Sequence, residues 1–484
     1  MGFPPSCLEN IVTQRFIRNY ADEILSGNAA IFAGAGLSIP CNLPSWKDLL
    51  EPMAAEIDLD VNKESDLLTV IQYYQNSIFG RGFIDQEIIN RIRAVECSPS
   101  ETHRILASLP IQTYWTTNYD KIIETAIADA NKIADVKIVN ANLTTHNPQR
   151  DVTVYKMHGD ITNPESIVIT RDDYENYARE KELFTLSLKG DLLSKTFLFL
   201  GFSFYDPNLL NIMAHLRLST SGRPRTHYCI YRSVHRADYD SDENFAYAQK
   251  REKLWIADIR RYGIKIISID DYGGISLILK RVQILVSRKS IFISGSATKY
   301  DPMSSNDAES FIFQLAYELS AKGNQVVTGF GLGVGSSVIN GVLTHIYSKP
   351  GRRVDGKLLS LPFPQNIKNK DERQASWTQY RKDLISHAGI AIFIFGNKEV
   401  DGDIQDANGM EEEFAIAHEM GLTLLPISQT GYTAKKLWET IKTNLNEYYP
   451  TKEIRDAVCS LQTYPSCDQE LITRIIRIIS LLQK

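Results

Sequence analysis

Residues 28–36 read NAAIFAGAG, and this stretch decides the fold. A short apolar run from Ala29 to Ala33 stops at Gly34, and small residues then lead into a helical segment. That sequence of events is the signature of a strand feeding a helix in a parallel α/β sheet. Three more segments of the first half repeat it: IQTYWTTNYD (111–120), VTVYKMHGD (152–160) and FLFLGFSFYDPNL (197–209). Each sets its polar residues just past a β-like run. In doubly wound sheets that edge lines the ligand crevice, so four separated segments are expected to converge on one site.

The pattern pauses over residues 235–262, which are charged and helical, and then IKIISID (264–270) reads as another strand. A fresh start follows at KSIFISGSA (289–297). NQVVTGFGLGVGS (324–336), KLLSLPFP (357–364), IAIFIFGN (390–397) and TLLPIS (423–428) continue as strands with helices between them. The expected architecture is therefore α/β with two domains, 1–286 and 287–484, each a mainly parallel Rossmann-like sheet flanked by helices. The last segment, DQELITRIIRIISLLQK, has helical apolar spacing and reads as a core-covering or interface helix.

Bulk properties narrow the function. A length of 484 residues with 43% hydrophobic side chains suits two or three globular domains with sizeable cores. A formal charge of -5 and a pI near 6.0 argue against a dedicated nucleic-acid surface and for small-molecule partners. No signal peptide and no run of apolar residues long enough to span a membrane is present, so neither secretion nor membrane insertion is expected. The six cysteines, at 7, 41, 97, 229, 459 and 467, contain no CxxC pair and suggest neither a zinc site nor a disulfide framework. A reducing cytoplasm fits that usage.

The loop FAGAGLS supplies the first candidate site. Gly34 and Gly36 clear space for backbone amides to approach a pyrophosphate, and the following helix start favours an anion. The spacing is not the GxGxxG of dinucleotide dehydrogenases, and no acidic residue follows at the ribose-binding distance, which disfavours hydride transfer. Asn118 and Asp120 are ordinary turn formers as well as candidate ligands. Ser203 and Asp206 precede a proline and also fit a helix cap.

Together, GAGLS (34–38), TNYD (117–120), HGD (158–160) and GFSFYDPN (201–208) resemble, in order, the motifs of the sirtuin-like family of NAD-consuming enzymes. The resemblance covers roughly residues 15–285 and implies an NAD+ site formed by Ala33, Gly34, Ala35, Gly36, Ser38, Asn118, Asp120, His158, Gly201, Ser203 and Asp206. It makes His158 the base and Asn118 the group that fixes a ribose hydroxyl or the attacking water. Asp120 would orient the loop or the sugar. The chemistry accounts for these types: breaking the nicotinamide–ribose bond builds an oxocarbenium-like sugar, and a neutral histidine, with an ordinary pKa of about 6.5, can accept the proton of the incoming nucleophile. Sirtuin deacylases carry two zinc-binding CxxC pairs that this chain lacks. Water is then the expected nucleophile, with no metal and no cofactor, NAD+ being the substrate. A protein deacylase and a non-enzymatic nucleotide sensor remain the alternatives.

In the second half, SGSA (294–297) and TGFGLGVG (328–335) resemble the SLOG family of nucleotide binders. Alternating glycines allow successive amides to form an anion-binding nest. The resemblance implies a signal site of Gly295, Ser296, Gly329, Gly331, Leu332, Gly333 and Gly335. Arg381 and Glu413, near the ends of flanking helices, and Lys398, just past a strand, would complete it. No catalytic arrangement accompanies this loop, so binding is expected there, and reaction at the first. A sirtuin-like domain followed by a SLOG domain is similar to the NAD-hydrolysing effectors of the bacterial Thoeris anti-phage system. That likeness implies activation by a cyclic ADP-ribose isomer from a TIR-domain partner, NAD+ depletion as an antiviral response, and a cytoplasmic homotetramer.

Overall fold

The computed structural model describes residues 6–79, 81–348, 350, 353–354, 356–364, 369–464 and 466–483. The chain forms two compact units that divide between Gln283 and Ile284, inside the helix Gly273–Ser287.

The first unit is built on a sheet of β1 (Ala29–Ala33), β2 (Thr113–Thr116), β3 (Ala134–Lys137), β4 (Val152–Lys156), β5 (Thr196–Leu200), β6 (His227–Arg232) and β7 (Ile264–Ile269). The strand order is β3-β4-β2-β1-β5-β6-β7, with every pairing parallel. The strands β1 (AAIFA) and β5 (TFLFL) are buried at every position, as central strands covered on both faces must be. The strands β2, β3 and β4 all lie to one side of β1, with β4 between β2 and the edge strand β3, and β5, β6 and β7 lie to the other. The loops after β1 and β5 therefore flank the point where the strand order reverses, the position at which open α/β sheets bind ligands.

Register fixes what meets there. Ala33 pairs with both Thr116 and Leu200, and Thr116 pairs with Lys156. The next residues of the four strands, Gly34, Thr117, Met157 and Gly201, thus leave the sheet along one edge. The edge strand β3 and the strand β6 have no counterpart among the strands expected from the sequence; β3 (ADVK) is only partly buried and carries charges at two of its four positions.

Between β1 and β2 the chain inserts the helices Trp46–Glu56, Leu67–Tyr74 and Arg81–Arg93. They bury Leu49, Leu50, Met53, Ile71, Tyr74, Ile84 and Ile88 together with Tyr119, Ile167 and Ile169. This small core fixes the insert to the loops that follow β2 and β4.

The second unit contains β8 (Ser290–Ser296), β9 (Gln325–Thr328), β10 (Leu358–Ser360), β11 (Ile390–Phe395) and, after the antiparallel hairpin β12 (Asn397–Val400) and β13 (Asp403–Asp406), β14 (Thr423–Pro426). Its parallel sheet has the order β10-β9-β8-β11-β14. The last helix, Gln469–Leu482, buries Leu471, Ile472, Ile475, Ile476, Ile478, Ile479 and Leu482 in this unit's core. Among the described residues no helix is long and apolar enough to cross a membrane.

Candidate active site

The loops after β1, β2, β4 and β5, with the helical insert, enclose a cavity of about 920 Å³, within the range of about 300–1,000 Å³ usual for small-molecule sites. Ala35, Gly36, Ser38, Asn118, Asp120, His158, Gly201, Ser203 and Asp206 all line it. Ala33 and Gly34 do not. Ala33 is fully buried in β1, where its backbone is committed to the sheet, and Gly34 acts through its carbonyl.

Asn118 is held by three bonds. Its backbone N–H donates to Thr116 Oγ1 at 3.0 Å, and its Nδ2 donates to Gly34 O at 3.1 Å and Ser38 Oγ at 3.0 Å. With both amide protons engaged, Oδ1 is left buried without a protein hydrogen bond. A buried acceptor without a partner is uncommon in folded proteins, and at a cavity wall it is a place for a ligand hydroxyl or a water. Ser38 passes the restraint on, donating to Asp120 Oδ2 at 2.9 Å, while Asp120 Oδ1 accepts from Ile122 N at 2.9 Å. Of the two roles expected for Asp120, the bonds are those of a loop orienter.

His158 is 4% exposed, and its Nε2 lies 3.1 Å from Asp206 Oδ2, off the line of a good hydrogen bond. Asp206 does two jobs at once. Oδ1 caps the helix Pro207–Ser219 by accepting from Leu209 N at 2.8 Å, and Oδ2 faces the histidine. Burial works against the charge of this carboxyl, but the His158 ring, followed by the Leu209 and Asn208 amides, outweighs it and holds the group below the ordinary carboxylate range. The rings of Tyr174 and Tyr177 stand edge-on to His158 at 5.4 and 6.1 Å, and the Tyr174 hydroxyl reaches Asp206 Oδ2 at 3.5 Å. Burial and the Asp206 charge push the hydroxyls of both tyrosines well above their ordinary range, so they remain protonated and act as donors.

Beneath this surface lies a buried ion network. Lys156, fully buried, pairs with Glu124 at 3.1 Å and with Asp160, and donates to the carbonyls of Tyr119 and Asp120. Burial opposes ionisation of Asp160, yet the Lys156 ammonium and the Thr162 hydroxyl and amide keep its carboxyl below the usual range. One ammonium thereby joins the asparagine loop to the histidine loop. Gly159, at φ +90°, closes the second loop, and a Cβ there would stand 2.3 Å from Ser166 O.

The glycines of the first loop have a different use from the one expected. A Cβ on Gly34 would lie 2.5 Å from Gly201 O, one on Gly36 2.9 Å from Gly201 Cα, and one on Gly201 2.1 Å from Leu37 N. Their close approach is between two loops of the protein. The amides of Gly34 and Gly36 donate to Leu200 O and Gly201 O at 2.9 and 3.0 Å, so those two N–H groups face backbone and not a pyrophosphate. Several other wall residues carry no signal in the sequence: Trp46 and Asp66 from the helical insert, and Arg171, Tyr174 and Glu175 from the helix Arg171–Glu180; Phe202 and Tyr205, inside the last motif, also line the wall.

In the second unit the glycine-rich loop is also packed on a neighbouring loop. A Cβ on Gly331 would meet Gly295 O at 2.0 Å, one on Gly333 Ala297 O at 2.0 Å, one on Gly335 Phe330 Cα at 2.6 Å, and one on Gly329 the Phe363 ring at 2.8 Å. The alternation expected to form an anion nest is accounted for by this packing, sealed by Ala297 N donating to Leu332 O at 2.8 Å. The Leu332 side chain is 72% exposed, and Ser296 Oγ donates to Asn397 O at 3.2 Å. Arg381 and Glu413 lie inside their helices, Lys370–Ser386 and Asn408–Glu419, rather than near the ends; Arg381 is buried and the Glu413 side chain is 12% exposed. They form one cluster: Arg381 meets Glu412 at 2.8 Å and Glu413 at 3.6 Å, and Ser294 Oγ donates to Glu413 Oε2 at 2.6 Å. Burial pushes the Glu413 carboxyl up despite the Ser294 hydroxyl and the Arg381 charge. Lys398 lies in β12 with its ammonium on Asn408 Oδ1. Asn397, missed from the sequence, ties Thr298 N, Lys299 N and Lys299 O to the loop after β11.

Comparison with known proteins agrees with this division. Residues 112–254 match the SIR2-like domain, and residues 274–482 match the Sir2- and TIR-associating SLOG family. The chain is 43% identical to the NAD(+) hydrolase ThsA of Bacillus cereus (strain MSX-D12) over 477 residues, 98% of this chain and 99% of that protein. The ThsA of Cytobacillus dafuensis is 43% identical over 96% of each chain, and that of Acinetobacter baumannii (strain 532279) 40% identical over 98% of this chain and 99% of its own. With a SIR2-like sheet, a SLOG sheet and near-complete coverage of these relatives, the chain belongs to the ThsA NAD(+) hydrolase family.

Proposed function

We propose that the first unit hydrolyses NAD+ to ADP-ribose and nicotinamide. The observation that carries the reading is the pairing, in one cavity, of the unpartnered Asn118 Oδ1 with the His158–Asp206 couple. Asn118 accepts a hydrogen bond from a ribose hydroxyl or from the attacking water. That water gives a proton to the His158–Asp206 pair as its oxygen bonds to C1′ of the ribose. The C1′–N bond breaks with its electron pair going to the pyridinium ring, so nicotinamide leaves neutral. Asp206 places a carboxylate oxygen 3.1 Å from the ring nitrogen, where it faces the charge that the transferred proton brings. The names of the ThsA relatives support the same reaction.

The second unit is the receptor that switches it on, with a cyclic ADP-ribose isomer as activator and the cluster Ser294, Arg381, Glu413 beside the glycine loop as the region that recognises it. The match to the Sir2- and TIR-associating family supports a TIR-domain partner as the source of the signal. In this reading the chain is a cytoplasmic, homotetrameric effector of a Thoeris-type defence that depletes NAD+. The test is nicotinamide release by the purified full chain across a panel of cyclic ADP-ribose isomers. Turnover should appear with one isomer and vanish in Asn118→Ala and His158→Ala; tight NAD+ binding with no release under any isomer would instead support a sensor, and turnover of an acyl-lysine peptide a deacylase.

A further inference from the structure

We infer that Arg171 is the residue that engages the pyrophosphate of the substrate, and that Asp66 holds it in reserve until the substrate arrives; the inference rests on the dinucleotide reading of the cavity. Among the described residues that line the cavity, Arg171 is the sole lysine or arginine, against four carboxylates, Asp66, Asp120, Glu175 and Asp206. A dinucleotide brings a doubly charged pyrophosphate into that acidic surround, where it is repelled unless a cation meets it. The glycine loop, Gly34 to Ser38, commits four of its five amides to backbone carbonyls, all but that of Ala35. The amides of Gly34 and Gly36 donate to Leu200 O and Gly201 O, and those of Leu37 and Ser38 to Gly34 O and Ala35 O.

Arg171 is placed to fill the gap. It opens the helix Arg171–Glu180, whose backbone is fixed by a capping box between Thr170 and Asp173. Tyr174, three residues on, meets His158 and Asp206. Residues three apart share a helix face about 5–6 Å apart, so an anion on Arg171 sits one turn from the reacting centre. Its planar fork of donors suits two phosphate oxygens at once. At present Nη2 contacts Asp66 Oδ2 at 2.7 Å and Thr69 Oγ1, with the Arg171 and Asp66 side chains 46% and 53% exposed. A half-exposed pair of this kind is weak and exchanges readily for a better anion. Asp66 also caps the helix Leu67–Tyr74 through Thr69 N at 3.2 Å, a task that asparagine performs equally well.

The test is calorimetric titration of the full chain with ADP-ribose, which keeps the pyrophosphate, and with nicotinamide riboside, which has none. Arg171→Ala should weaken ADP-ribose by about tenfold or more, with Arg171→Lys recovering part of the loss and nicotinamide riboside unchanged. Asp66→Asn should tighten ADP-ribose by removing the competing carboxylate. Sites in the second unit contribute the same signal to every variant. Unchanged ADP-ribose binding in Arg171→Ala, equal losses for both ligands, or no ADP-ribose binding by the unsubstituted chain overturns the inference. An unsubstituted chain that binds ADP-ribose through Arg171 yet releases no nicotinamide from NAD+ refutes hydrolysis and keeps the inference. Hydrolysis with a KM indifferent to Arg171→Ala does the reverse.

Discussion

Asp206→Asn separates the two jobs of one side chain. Asparagine keeps an oxygen for Leu209 N and is as good a helix cap as aspartate, so the helix Pro207–Ser219 should persist. What is lost is the charge 3.1 Å from His158 Nε2, between side chains only 7% and 4% exposed. At that separation and an effective dielectric of about 20, the gross Coulomb attraction on a protonated ring is about 5 kcal/mol. Desolvation offsets part of it, leaving about 2–4 kcal/mol of transition-state stabilisation. At about 1.36 kcal/mol per decade, kcat should fall about 30- to 1,000-fold. The assay is nicotinamide release under full activation, with circular dichroism and an unfolding curve to establish that the fold is intact. A folded variant with kcat within about threefold of the parent would refute a part for the Asp206 charge in the transition state. The pH dependence has a definite sign. Because the folded Asp206 carboxyl lies below its ordinary value, its contribution to stability is present above the ordinary carboxylate range and lost as pH falls through the lowered folded value. The stability gap between parent and Asp206→Asn should therefore close in strong acid.

Other perturbations test the supporting structure. Lys156→Met leaves Asp160 and Glu124 buried without their cation, and an unfolding curve should show a loss of about 3–5 kcal/mol; an unchanged midpoint would mean that the network carries no weight. Gly34→Ala places a Cβ 2.5 Å from Gly201 O and moves the carbonyl that holds Asn118, so nicotinamide release should drop far more than stability. Gly331→Ala, with its Cβ 2.0 Å from Gly295 O, should blunt activation while hydrolysis driven by saturating isomer is retained; an unshifted activation curve would remove this loop from the receptor. Burial lowers the His103 imidazole from 6.5 to about 4. The unfolded chain binds that proton first, so about 3 kcal/mol of stability should be lost as pH falls through that window. A urea midpoint that does not move there would contradict it.

The four strand-to-loop segments were legible because a buried central strand is a short apolar run that ends abruptly, and AAIFA and TFLFL show it without ambiguity. Their convergence on one edge followed from the repeated pattern of apolar run then polar residues, but the strand order, which sets β2 beside β4, did not. Single roles were harder to read. Asp206 presented itself as either a cap or a site residue, and one carboxylate serves both because its two oxygens face different ways. The glycines spoke of close approach but not of what approached, and the partner proved to be another loop. Trp46, Asp66 and Arg171 were invisible because they reach the cavity through tertiary packing of the helical insert and of the helix Arg171–Glu180, for which no local spacing exists. In the second unit, the burial of Arg381 could not be foreseen from a helix sequence with little amphipathic pattern.

The central claim is that water, activated beside His158 and placed by Asn118, attacks the ribose of NAD+. Turnover of NAD+ by the activated full chain in 18O-enriched water follows that oxygen directly by mass spectrometry. The expected result is nicotinamide together with ADP-ribose carrying one heavy oxygen, and neither product from Asn118→Ala or His158→Ala. Unlabelled or cyclised ADP-ribose, or undiminished turnover in both variants, would contradict it.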